Sequence, residues 1–418
     1  MAKQFPEGFL WGAATSAHQV EGGTNNNWIQ WEKDNAVRLS EEAKDKWQKW
    51  QQNKFPEMFS PENYISGRAC DHYTRYEEDF NLAKDGGHNA HRFSIEWSRI
   101  EPEEGRFDEK EIEHYRKIIL ALRERGIEPF VTLWHWTHPL WVEKFGGPAN
   151  KKFAEYFAQY AEKMAESFGD LVKFWVTVNE PTSVIGAAYM VGIWPPQKRN
   201  IISVFNVYKN LSQAHNLAYD KIHEVHPNVQ IGFANVLNFI EPNNEKSLLD
   251  KFVVGVAEYF SNKKFLNSTK GKNDFLTLQY YFHKKIEFPM IEKNENKKVS
   301  DLGWELYPQG LYYLLKKIGK YNLPIYITEN GLADSLDENR EWFLRESLRN
   351  IKKAIDEGVN IKGYFYWSLL DNFEWDKGFW PRFGLIEIDY KTLERKPRQS
   401  FYAYKEIIEN NGIKRKPC

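Results

Sequence analysis

Cysteine is nearly missing from this 418-residue chain: Cys70 and Cys418 stand alone and lack CxxC spacing. Two such residues build neither a disulfide framework nor a paired-thiolate metal site. Cys70 is expected as a small buried side chain and Cys418 as a frayed terminal thiol. No run of 18 apolar residues occurs, which excludes a helical membrane span. The opening MAKQFPEGFLWG holds one lysine and no apolar stretch of signal-peptide length, so the default expectation is a cytoplasmic protein. An excess of one charge sign is also lacking. Lys and Arg number 57 against 58 Asp and Glu, a formal net charge of −1, which argues against nucleic acid and against a polybasic membrane partner. Linkers rich in Pro, Gly or Ser, low-complexity tracts and sequence repeats are missing too, so one continuous domain over residues 1–418 is expected.

What the chain does have is apolar and aromatic mass. Hydrophobic residues make up 42%, enough for a large core, and 16 tryptophans contribute to an aromatic share of 16%. Several lie beside polar residues near the ends of apolar runs, an arrangement suited to the flat faces of sugars as well as to plain packing. Short β-rich runs alternate with longer segments of helical period. The strand candidates are eight: Leu10–Ala14, Ala90–Ser94, Pro129–Leu133, Phe174–Val178, Gln230–Asn235, Phe275–Gln279, Ile325–Thr328 and Lys362–Trp367. Between them, apolar residues recur three and four apart, as in Ile112, Tyr115, Ile118, Ile119 and Leu122, or Leu344, Leu348, Ile351 and Ile355. Gly126 and Gly358 close two of these helices.

Eight strand–helix units joined by right-handed crossovers predict a single (β/α)8 TIM barrel with elaborated loops after its strands. An open doubly wound sheet is the alternative, but neither GxGxxG nor GxxxxGK[ST] is present to supply its phosphate loop. The stretch from Trp28 to Asp71, with a charged helical piece over Ser40–Gln52, then becomes an elaborated loop after the first strand.

Barrels keep their chemistry where the strands end. Taking only those positions yields Gln19, Glu21, Arg92, His135, Asn179, Glu180, Gln279, Tyr280 and Tyr281, then Glu329, Asn330, Trp367, Asp371, Asn372, Glu374 and Trp375, all expected to face one mouth. Glu180 and Glu329 stand out, each ending a β-rich run and followed by turn-forming residues, Pro181 and Asn330-Gly331. Two carboxyl groups across a cavity are what glycosidic cleavage needs. One protonates the leaving oxygen while the other meets positive charge at the anomeric carbon. The pair must be unequal: Arg92 and the Tyr281 hydroxyl are expected to keep Glu329 ionised, whose charge, with apolar walls, keeps Glu180 protonated. Taken singly, either residue could equally be a salt-bridge partner.

The surrounding motifs add to this. Thr177-Val178-Asn179-Glu180-Pro181 and Ile327-Thr328-Glu329-Asn330-Gly331 resemble the acid/base and nucleophile signatures of glycoside hydrolase family 1, the β-glucosidase and β-galactosidase family. FLWGAATSAHQVEGG, HRFSIEWSRIEP, TLWHW, DLGWELYPQGL, GYFYWSLLDNFEW and RFGL extend the resemblance over nearly the whole chain. It implies a retaining exo-β-glycosidase with Glu329 as nucleophile and Glu180 as acid and then base, their carboxyls about 5–5.5 Å apart. It further implies that Gln19, His135, Asn179, Glu374 and the Trp375 indole bind sugar hydroxyls, and that Trp367 forms the stacking floor. Arg92 and Tyr281 would hold the nucleophile, Trp304 would serve the aglycone, and Phe383 would line the pocket. Small β-glycosides or oligosaccharides are the implied partners, with no cofactor and no metal.

Two departures from the family pattern carry expectations of their own. Gln279 stands where Asn is usual, reaching about one bond length further into the site. The segments 241–274 and 282–301 are short for the family, which predicts a low, open aglycone rim tolerant of bulky groups. An acidic Glu374 is expected to repel a 6-phosphate, setting a phospho-glycosidase aside, and a noncatalytic sugar-binding barrel would not need both glutamates. His223/His226 and His135/His138 space their imidazoles by three rather than the four of a zinc helix. The first pair is expected as a solvated or capping feature of a helix end.

Overall fold

The computed structural model describes residues 3–413; Cys418 lies outside them. Eight parallel strands form its centre: β1 (Leu10–Ala14), β2 (Ala90–Ser94), β3 (Glu128–Trp134), β4 (Phe174–Asn179), β5 (Gln230–Ala234), β6 (Leu276–Tyr280), β7 (Ile325–Asn330) and β8 (Ile361–Trp367). Each pairs with its neighbour in sequence from β1 to β5 and from β6 to β8, and β8 pairs with β1. The β5–β6 seam closes by a parallel bridge between Val236 and Gln279. Thr277 stitches the same seam, its hydroxyl donating to Phe233 O (2.8 Å) and accepting from the Asn235 amide (2.9 Å). The expected strands are therefore the observed ones, with ends shifted by a residue or two.

Aromatic rings fill the barrel interior beneath the mouth. Phe130 stacks on Phe174 at 4.2 Å and meets Phe365 and Tyr326 at 4.8 and 5.1 Å, with Phe275 5.3 Å from Tyr326. Above this floor, where the strands end, a cavity opens. Outside, helices Glu109–Glu124, Phe153–Phe168 and Arg340–Asp356 bury the stripes their periodicity marks. Asp108 starts the first of these by accepting from the amides of Lys110 and Glu111.

Loop detail departs from expectation. The charged piece at Ser40–Gln52 is not one helix: Asn27–Lys46 ends at Trp47, and Lys49–Lys54 begins after Gln48, whose amide donates to the Gln51 side chain. An antiparallel and parallel three-stranded sheet (Phe239–Pro242, His283–Glu287, Ile291–Glu292) also builds the rim after β5 and β6. Cys70 is buried as expected, its thiol donating to Asp371 O. No described helix is long and apolar enough to cross a membrane.

Candidate active site

The chain leaves β4 at Asn179 and turns sharply at Glu180, which adopts φ 41° in the left-handed region before Pro181 opens a short helix. Trp136 and Trp375, at φ 76° and 51°, are held in the same unfavourable region for side-chain-bearing residues. All three line one cavity. Across it Glu329 sits one residue before the end of β7, and the next turn depends on Gly331, where a Cβ would lie 1.9 Å from Trp367 O.

The two carboxyls differ in what holds them. Glu329 is met by three donors: Arg92 and the Gln279 amide on Oε1, and the Tyr281 hydroxyl on Oε2 at 2.8 Å. Glu180 has a single protein donor in view, Ser183 Oγ at 2.7 Å. Burial raises the pKa of both. The Glu329 charge pushes Glu180 further, to about 8, whereas Arg92 and Tyr281 pull Glu329 back down. One proton shared by the pair therefore resides on Glu180 and the negative charge on Glu329.

Behind them a buried network fixes direction. Arg92, on β2, donates through Nε to Thr132 Oγ1 (3.0 Å) and through Nη2 to Asn179 Oδ1 (2.6 Å). Guanidinium only donates, so Asn179 must turn its oxygen to Arg92 and its amide to His135 Nε2 at 3.1 Å. His135 Nδ1 is left without a protein partner. Burial and the Arg92 charge depress His135 far below the usual range, so the ring is neutral. Gln279 Nε2 reaches both Asn179 Oδ1 (3.0 Å) and Glu329. The amide longer than expected thus bridges the strand-four and strand-seven residues, with its own Oε1 unpaired.

At the far wall Gln19 Nε2 donates to Asn372 Oδ1 and Phe373 O, both at 2.9 Å, and lies 3.4 Å from Glu374 Oε2. Trp375 lies nearly parallel to His135 (6.0 Å, 10°), which is itself nearly parallel to Trp367 (6.0 Å, 17°). Gln19, His135, Tyr281, Trp304, Trp367, Glu374, Trp375 and Phe383 all line the cavity, as their sequence positions predict. Arg92 and Asn179 do not; they stand behind the lining residues. Glu374 departs from the fixed negative charge expected of it: burial, then Asp376 and Glu329, raise its pKa to about 8 against the pull of Lys377 and Gln19.

Other residues of the strand-end set face elsewhere. Glu21 bonds Arg99 (2.9 Å) and Tyr115 (2.8 Å), and Asp371 pairs with Arg398 (3.0 Å), so both are spent on internal ion pairs. His223 pairs with Asp274 at 3.0 Å, and the described residues contain no group of three or more side chains able to hold a metal. Sequence reasoning missed Trp136, Ser183, Trp194, Phe282 and Lys377 in the lining. Ser183 had a usable signal, since i+3 from Glu180 on a helix start places the two on one face; Lys377 had none.

Comparison with known proteins agrees with this arrangement over the whole length. β-Glucosidase A of Thermotoga maritima is 35% identical over 464 aligned positions, covering 98% of this chain and 99% of the relative. The β-glycosidase of Pyrococcus horikoshii superposes with a TM-score of 0.89 at 36% identity, covering 99% of this chain and 97% of that one. The Thermotoga maritima β-glucosidase in complex with glucoimidazole gives 0.86 at 34% identity, covering 98% and 100%. Residues 1–295 and 255–413 match the family description "Glycosyl hydrolase family 1". Barrel, cavity and sequence likeness converge: the chain belongs to glycosyl hydrolase family 1.

Proposed function

We propose that this protein is a retaining exo-β-glycosidase that cleaves β-glucosides and also accepts β-galactosides and β-fucosides, with Glu329 as nucleophile and Glu180 as acid and base. The observation that carries it is the unequal pair of buried carboxyls in one cavity, Glu329 held by three donors and Glu180 by one. In the first step Glu329 attacks the anomeric carbon as Glu180 gives its proton to the departing oxygen. In the second, Glu180 takes a proton from water, which releases the sugar from Glu329. No step needs a metal or an organic cofactor, because side chains supply attack, proton transfer and charge stabilisation.

Gln19, His135, Glu374 and Trp375 are the hydroxyl-binding set in this reading, supported by their place in the lining and by the bonds that hold Gln19 rigid. Asn179 supports His135, Arg92 and Tyr281 orient the nucleophile, Trp367 stacks under the sugar, and Trp304 faces the aglycone. Protonated at neutral pH, Glu374 both donates to and accepts from hydroxyls, and a 6-phosphate beside it would find poor charge complementarity. Lys377, the one cation in the lining among the described residues, has its ammonium on Asp376 at 2.5 Å. Cysteine scarcity supports a cytoplasmic setting. A panel of nitrophenyl β-glycosides, with and without a 6-phosphate, tests the reading. Turnover of the glucoside, galactoside and fucoside with retained configuration is expected. Activity confined to the phosphorylated sugars, or inverted product, would overturn it.

A further inference from the structure

Apolar side chains left in water are unevenly spread over this molecule. Among the described residues 25 large hydrophobics are exposed, and 15 of them fall between Met190 and Ile291. These lie on the segments joining β4 to β5, β5 to β6 and β6 to β7, at the end where the strands open into the catalytic cavity. Helix Leu248–Glu258 shows the anomaly best. Val253 and Ala257 are buried, yet Leu248 (81% exposed), Leu249, Phe252 (67%) and Val256 point outward, where a surface helix is ordinarily polar.

The neighbouring pieces join it. The Lys264 ammonium lies 4.9 Å from both the Phe205 and Phe260 rings, tying in the start of helix Ile201–Val225 with its exposed Ile201 and Ile202. Asp250 accepts from the Phe288 amide at 3.2 Å, bringing up exposed Met290 and Ile291. The resulting apolar face borders the cavity, whose wall includes Phe282 and Trp194. Faces of this kind mark contact with a membrane or another protein.

Charge decides between them. The near-neutral total, which speaks against a polybasic partner, averages over an asymmetric molecule: residues 190–300 hold 15 Lys and Arg against 10 Asp and Glu. Of those basic residues only Arg199 is arginine, and none occurs from 200 to 339. Protein interfaces are enriched in Arg and depleted of Lys, and a two-fold contact with a second copy would set lysines against lysines. Lysines lie within this face, Lys251 on the helix itself and Lys264 on the Phe205 and Phe260 rings, and such a mixture suits the headgroup layer of a bilayer, where stems lie in apolar surroundings and ammonium groups meet phosphate.

We propose that this face docks on an anionic lipid surface, with Leu248, Leu249 and Phe252 entering the headgroup layer and the cavity mouth opening beside the bilayer. The test is flotation of the full chain with phosphatidylcholine vesicles containing phosphatidylglycerol, and with phosphatidylcholine alone. The wild type is expected to float with the anionic vesicles only, and the doubly substituted Leu249→Ser, Phe252→Ser protein to partition at least about tenfold less. Both side chains are exposed, so the variant should keep its melting temperature and its hydrolysis of a water-soluble nitrophenyl glycoside. Failure of the wild type to float, equal flotation on neutral vesicles, or equal flotation of the variant overturns the proposal. So does a lipid-free dimer of the wild type that the variant dissolves, which would make a second copy the occupant.

Discussion

At the scale of single residues, the two glutamates divide their labour through their neighbours rather than through their own chemistry. Replacing Glu329 by Gly removes the attacking oxygen while leaving Arg92, Gln279 and Tyr281 as a ready anion site. Loss of at least about 10⁴-fold in kcat is expected, with partial return on adding azide or formate. Ordinary turnover by that variant would remove the nucleophile assignment. Glu180 must be protonated to act in the first step, and its pKa lies at about 8. Hence kcat/KM should fall as pH rises through about 8, and the fall should vanish in Glu180→Ala. That variant should be crippled toward poor leaving groups and mild toward dinitrophenyl glycosides; uniform loss across leaving groups would contradict the acid role. Gln279 donates into a buried carboxylate, a bond worth about 1.5–3 kcal/mol. Gln279→Leu is therefore expected to lower kcat/KM by roughly 10–100-fold, and unchanged kinetics would reduce Gln279 to packing.

At the scale of elements, the strands were legible because a parallel sheet covered on both faces needs uninterrupted apolar runs, and the eight runs stand between amphipathic helices. Their functional ends were legible for the same reason: Glu180 and Glu329 lie where those runs stop. The loops were less so. The break at Trp47–Gln48 depends on Gln51 reaching back to the Gln48 amide, a local bond that no periodicity announces. Glu21 and Asp371 were misplaced because strand-end position says nothing of which way a side chain turns, and Arg99 and Arg398, remote in sequence, claim them. Thr277 illustrates a further element-level feature, a side chain that reinforces the sparse backbone pairing of the β5–β6 seam. Thr277→Val keeps the shape and removes both bonds within a buried seam, so a loss of ~1–3 kcal/mol in stability is expected. A denaturant midpoint equal to that of the wild type would show that the bridge at Val236 and Gln279 suffices.

At the scale of the whole molecule, the site burdens the fold that supports it. Buried carboxyls raised toward neutrality, Glu180 and Glu374 among them, bind protons more tightly in the folded chain than in the unfolded one. Where the folded pKa exceeds the unfolded value, the folded state holds more protons, and stability falls as pH rises between the two. For Glu180 that window runs from the ordinary 4.5 to about 8. Glu180→Gln has the same shape and no proton to lose, so its advantage in melting temperature should be small at pH 5 and grow to ~4 °C by pH 9, equivalent to ~4 kcal/mol for a chain of this size. Thermal melts of both proteins at pH 5 and pH 9 make the comparison. A difference that stays constant with pH would mean that Glu180 titrates alike in both states and that its environment is not what holds the catalytic proton.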